Sequence, residues 1–248
     1  MLAGALIAFL AGLAAGSFAT AVAHRVPRGV SIARPRSQCP GCGTQISARD
    51  NVPVFSWLWL RGRARCCGVG ISPRYPLTEL AVAALFAAIA LVHWDDPVEI
   101  AIDMIFVTML AVVTLTDLEQ RIIPNEVLLT GAVLCVAIAV PSEPGGLAER
   151  AIAAAAAGGL LFAVALAYPR GMGLGDVKLV AVMGLFLGRA VAPAILIALL
   201  AGSTVGLALI ARHGAQARKM AIPFGPFLAL GGVVAMLAGD WLIDLYLG

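Results

Sequence analysis

The feature that most constrains this chain is a succession of uncharged apolar runs, each near the roughly twenty residues an α-helix needs to cross a bilayer. They fall at approximately 2–23, 77–94, 98–116, 127–141, 148–168, 177–188, 190–211 and 225–246. An outer-membrane barrel would alternate apolar and polar positions along each strand, so unbroken runs mean helical spans. Composition agrees: 61% of the 248 residues are hydrophobic and 12% are charged, against roughly a quarter charged in soluble chains. The expected fold is an all-α polytopic membrane protein with about eight transmembrane helices. Its fourth and sixth runs are short, as suits spans that borrow flanking residues or are shielded by neighbours.

Charge placement sets the expected orientation. The first run has an Ala-rich end like a signal-peptidase site, but no basic residue precedes it and an Arg-rich segment follows. It therefore reads as a retained span with its N-terminus outside. Alternating eight spans from there puts 24–76, 117–126, 169–176 and 212–224 on the cytoplasmic side and both termini outside. Those segments and their margins hold every one of the seventeen Lys and Arg residues except Arg150 and Arg189. The positive-inside rule thus supports both span count and orientation. Beside spans, such basic loops answer to topology and anionic lipid headgroups, so membrane lipids are expected partners and nucleic acid is not.

Three parts follow: a first transmembrane helix over 1–24, a cytoplasmic cysteine-containing loop domain over 25–76, and a seven-helix membrane core over 77–248. The loop contains Cys39, Cys42, Cys66 and Cys67, four of the five cysteines. Cys39-Pro-Gly-Cys42 is a CxxC knuckle, and four thiolates suit a tetrahedral metal, zinc by default. A cytoplasmic location disfavours disulfides. The second pair is adjacent, so a set of three thiolates with another group, or no metal, stays open. In each case the role is structural, because about fifty residues beside a membrane bury too little to fold firmly alone. Cys135, inside a span, reads as a small buried hydrophobe.

The most informative residues are two acids at the edges of apolar runs. Asp117 ends the third span, and Asp176 opens the sixth within Gly171-Met172-Gly173-Leu174-Gly175-Asp176-Val177-Lys178. Full spans separate them, so both return to one membrane face. A carboxylate there is costly unless it meets water or a partner, which makes function the default hypothesis. Two converging carboxylates cannot both ionise easily. One can activate water while the other, protonated, assists a carbonyl, as in aspartic proteases. Gly173 and Gly175, lacking Cβ atoms, would let the backbone bend and an extended substrate approach. A helix-start acid stabilised by the helix dipole is the alternative for each Asp taken singly.

These motifs resemble those of the type IV prepilin peptidases, a group of GxGD-class intramembrane aspartyl proteases. The resemblance rests on Gly16-Ser17-Phe18, Arg25-Val26-Pro27, the cysteine loop, Ile71-Ser72-Pro73-Arg74-Tyr75-Pro76-Leu77-Thr78-Glu79-Leu80, Asp117 with Ile123-Pro124-Asn125, the GxGD run, and Pro223-Phe224-Gly225-Pro226-Phe227. It implies a bacterial plasma-membrane endopeptidase that removes the basic leader of prepilins or pseudopilins at the cytoplasmic face, with Asp117 and Asp176 as its dyad. It further implies methylation of the new N-terminus with S-adenosylmethionine. The departure lies in the loop, where alignment through Gly62-Arg63 and Cys67-Gly68 puts Ala64 at the first position of a second CxxC. Glu79, Glu119, Glu126 and Lys178 are candidate substrate contacts, the acids being suited to a basic leader. A proton-coupled transporter relaying protons through both Asp residues, and a non-enzymatic assembly factor, are the competing functions.

Overall fold

The computed structural model describes residues 1–34, 36–142, 145–168, 172–214 and 222–247, without the side chains of 240, 246 and 247. Gly171 of the glycine-rich motif, the loop residues Arg170, Arg218 and Lys219, and the outer-loop Glu143 lie outside them. Each apolar run is a helix, as expected: α1 (Leu2–Arg25), α3 (Arg74–Val92), α4 (Pro97–Gln120), α5 (Asn125–Ser142), α6 (Gly146–Ala167), α7 (Leu174–Leu187), α8 (Val191–His213) and α9 (Gly225–Leu247). A short α2 (Phe55–Trp59) lies in the cysteine insert. Six stretches combine membrane-spanning length and hydropathy, one of which, Leu174–His213, comprises α7 and α8. Among the described residues there are isolated β-bridges but no strand.

By compactness the chain divides into two units, Met1–Asp96 and Pro97–Gly248. In the first, α1 packs on α3 along a seam of small side chains: Ala5, Ala8, Gly12, Gly16, Ala19 and Ala23 are all buried. Lipid offers no hydrophobic drive for helices to associate, so close backbone approach must supply the dispersion energy. A Cβ on Gly12 would stand 2.6 Å from Ala83 Cα, and one on Gly16 2.7 Å from Glu79 Cα. The insert is tied to this pair through Glu79. Its buried carboxylate accepts a 2.7 Å hydrogen bond from the Val54 amide, on a residue held at φ 61°.

The second unit is built from α4 to α9, with Phe106, Leu110, Val113, Leu179, Met183 and Leu228 among its buried side chains. Helix α7 has 14 residues, about 21 Å at 1.5 Å per residue, so it cannot reach both edges of a hydrocarbon layer about 30 Å thick. Its C-terminal end is fixed by Arg150, which donates to the Leu185 and Phe186 carbonyls (3.3 and 2.5 Å) and pairs with Glu99 at 3.1 Å. A cation satisfying a helix's last carbonyls complements both the orphan acceptors and the helix dipole. This accounts for one of the two basic residues that the charge pattern leaves on the far face. Cys135 is buried with its thiol 3.5 Å from the Leu185 carbonyl, consistent with a core role.

Candidate active site and thiol cluster

Asp117 lies in the last turn of α4, buried, and Asp176 in the first turn of α7, half-buried. The link from α4 to α5 brings these two ends together. Arg121 closes α4 at φ 56°, its amide bonded to the Asp117 carbonyl at 3.0 Å, and the chain turns through Ile123 and Pro124 into α5. Ile123 packs directly on Gly175, where a Cβ would meet Ile123 Cβ at 3.2 Å. From α5, Asn125 Oδ1 accepts a 3.1 Å hydrogen bond from Lys178 Nζ. The structure thus places both carboxylates at one end of the second unit, where the α4–α5 link meets the first turn of α7.

The Asp117 carboxylate is held by a backbone amide. Asp117 Oδ2 accepts from the Gly225 N–H, the first residue of α9, at 2.8 Å in a buried contact. At Asp176 the backbone N–H donates to the Gly173 carbonyl at 3.1 Å, and the side chain lies against Gly173. Gly225 belongs to the Pro223–Phe227 motif, yet sequence alone gave no sign that it faces Asp117, because the contact spans 108 positions. At the two motif glycines the structure shows close clearances. Neither has the left-handed φ that demands glycine. Their need is for space: at Gly173, whose φ is −78°, a Cβ would lie 3.3 Å from Asp176 Oδ2, while at Gly175 it would press on Ile123.

The remaining candidates separate. Lys178 is exposed and bonded to Asn125, and Glu119 and Glu126 are exposed at the same end of the unit. Glu79 belongs to the other unit, where its carboxylate accepts from the Val54 amide. A residue the sequence did not single out is Gln120. Its Nε2 is buried without a hydrogen-bond partner among the described residues, one turn beyond Asp117.

In the insert, Cys39, Cys42, Cys66 and Cys67 place their sulfurs within 4.8 Å of one another. The separations are 3.5 Å for Cys39–Cys67, 3.2 Å for Cys42–Cys66 and 3.9 Å for Cys66–Cys67. Tetrahedral zinc with Zn–S near 2.3 Å requires S···S distances of about 3.8 Å, so this donor set fits the ion. The backbone explains how adjacent cysteines achieve it. Cys39 N donates to Thr44 O and Gly43 N to Cys39 O; Ala64 N donates to Val69 O and Gly68 N to Ala64 O. Ile46 N to Ser37 O is matched by Ile71 N to Gly62 O, and the Gln38–Gln45 bridge by Arg63–Gly70. Two knuckles of one geometry therefore face each other, a structural repeat that side-chain identity conceals.

Ala64 occupies the seat equivalent to Cys39, and Cys66 the seat equivalent to Gly41. That third seat points at the opposite knuckle: a Cβ on Gly41 would lie 3.3 Å from Cys67 Sγ, just as Cys66 Sγ approaches Cys42. Crowded thiols ionise unequally. The Thr44 hydroxyl and amide hold the Cys42 thiol down to about 6, and backbone amides at Gly41 and Cys42 lower Cys39. Hydrogen bonding to Cys42 and Cys39 pushes Cys66 up to about 12. Asp50 and Arg65 brace the second knuckle with a forked ion pair, its contacts between 2.9 and 3.1 Å.

A polytopic helical membrane protein with two carboxylates at one end of a helical unit and a four-thiol insert defines a narrow class. Residues 10–93 match the family model for the bacterial peptidase A24 N-terminal domain, and residues 104–211 match that for the type IV leader peptidase family. The chain is 35% identical to a prepilin leader peptidase/N-methyltransferase of Bacillus subtilis over 97% of both chains. It is 34% identical to one of Aeromonas hydrophila over 97% of this chain and 93% of that one. It belongs to the type IV leader peptidase family. No solved structure matches the chain.

Proposed function

We propose that this protein is the endopeptidase that removes the leader of prepilins or pseudopilins, with Asp117 and Asp176 as its catalytic dyad. The observation that carries the assignment is the convergence of these carboxylates from α4 and α7 at one end of the unit, with Asp117 held by the Gly225 amide. With one carboxyl ionised and the other protonated, the first takes a proton from water as the oxygen attacks the scissile carbonyl. The second donates to the carbonyl oxygen, and the tetrahedral intermediate collapses with proton return to the leaving amine. Glu119 and Glu126, exposed at the same end of the unit, would meet the basic leader. The site faces the cytoplasm in this reading, with both termini outside, as the distribution of Lys and Arg supports.

The four cysteines would hold structural zinc, which fixes the knuckles and takes no step in cleavage. Methylation of the new N-terminus, with S-adenosylmethionine as donor, is the second proposed activity. It rests on the names of the relatives, and no residue is assigned to it.

The test is purified full-length protein with a prepilin, followed by the mass of the product. Asp117→Asn and Asp176→Asn should each abolish leader loss; cleavage by either variant would overturn the dyad. Turnover in detergent, where no proton gradient exists, separates a peptidase from a proton-coupled transporter.

A further inference from the structure

Helix α2 has a face for which leader cleavage provides no task. Its Ser56 is buried, and Trp57 donates from Nε1 to the Ile71 carbonyl at 2.9 Å, so these residues hold the helix to the insert. Phe55, Leu58 and Trp59, at i, i+3 and i+4, share the other side and are 61%, 61% and 71% exposed. The rings of Phe55 and Trp59 stack with centroids 6.0 Å apart. Exposed apolar side chains are ordinary when scattered, but three large ones grouped on a single helical turn mark an interaction surface.

What meets that surface follows from its depth and charge. Val54, the residue before α2, is bonded to Glu79, in the second turn of membrane-spanning α3. Glu79 is about 7.5 Å along that helix from Arg74. Helix α2 therefore starts level with the end of a transmembrane helix. Between residues 25 and 76 the chain carries nine arginines and a single acid, Asp50, which is paired with Arg65. Aromatic and aliphatic side chains at this depth, surrounded by arginine, form the chemistry that settles at a headgroup boundary.

We propose that Phe55, Leu58 and Trp59 form an interfacial wedge that seats the cysteine insert in the headgroup–acyl boundary of an anionic bilayer. The wedge fixes the height of the insert, independently of any metal and of the dyad.

The test uses the full chain in nanodiscs of phosphatidylcholine and phosphatidylglycerol with brominated acyl chains, comparing the native protein with Trp59→Phe. The emission that this substitution removes is the Trp59 share of the four tryptophans. That share should be quenched, more strongly by bromine near the ester end than near the chain terminus, and added prepilin should not restore it. Replacing Phe55 and Leu58 together by Ser should withdraw Trp59 from the quencher. An unquenched Trp59 would overturn the wedge, as would emission that prepilin restores, which would mark a substrate surface. Quenching seen only with a single copy per disc would also overturn it, by marking a contact between copies. Trp59 is largely exposed, so its replacement leaves the fold intact, and unchanged cysteine-site metal content checks this.

Discussion

Gly225→Ala is the sharpest probe of how the dyad is held. The added methyl would stand 2.7 Å from Asp117 Oδ2 and 3.2 Å from its Cβ and Cγ. Ordinary contact is about 3.5 Å, so either the carboxylate or the start of α9 must retreat by roughly 0.8 Å. That movement breaks the 2.8 Å bond from the Gly225 amide. A hydrogen bond to a charged group contributes about 1.5–3 kcal/mol, and a displacement near 1 Å at a reacting group costs about 100-fold. The expected result is a kcat for leader cleavage lower by about 10- to 100-fold, with KM nearly unchanged, because the defect lies in the reacting group. Initial rates on a purified prepilin measure this. Gly159→Ala, where a Cβ meets nothing within 4 Å, controls for the chemical change itself. A kcat for Gly225→Ala within about twofold of the native value would refute the argument that this amide positions Asp117. A rise in KM alone would show that Gly225 meets substrate instead.

Cys66→Ser should lose the bound zinc, measured as metal per chain, and Ala64→Cys added to it should restore binding, because the two seats point into one cluster; full zinc in Cys66→Ser would exclude Cys66 as a ligand. Glu79→Ala should leave the Val54 amide unpaired, at a cost of about 1–3 kcal/mol, and speed proteolysis of the insert with KM unchanged. A raised KM with normal proteolysis would return Glu79 to substrate binding. Gly12→Leu should overfill the α1–α3 seam and lower stability by about 1–3 kcal/mol in thermal unfolding, and an unchanged midpoint would contradict that packing. Gln120→Leu should lower kcat/KM if its buried amide serves the substrate, whereas equal activity with higher stability would mark it as a buried group better replaced.

The spans were legible because a bilayer imposes one length and one polarity on every helix that crosses it. Even the shortness of α7 shows in the run 177–188. The acids Asp117 and Asp176 stood out because a carboxylate at the edge of an apolar run requires an explanation. What the sequence hid are contacts made by backbone. The Gly225 amide and the Val54 amide carry no signature in residue identity, and each finds its acid only through packing. The motif glycines stood out for a bending backbone and the close approach of substrate; the clearance of Gly175 against Ile123 is a further contact that residue identity does not show. The second knuckle, with Ala64 at its first position, showed only through the family resemblance; that its backbone bonds repeat those of the first and seat Cys66 opposite Cys42 carries no mark in residue identity.

That persistence bears on how such a cluster changes over time. A backbone that repeats itself around a common centre offers more seats than an ion needs, since first, third and fourth positions of each knuckle all face inward. A chain that acquires a thiol at seat 66 holds five, and can then lose the one at seat 64 without ever having fewer than four. Ligands can thus migrate through single substitutions while the fold stands still. Gly41 marks the corresponding seat on the first knuckle, where a Cβ would lie 3.3 Å from Cys67 Sγ but 3.0 Å from Val69 Cγ1, so the same exchange there requires Val69 to shift.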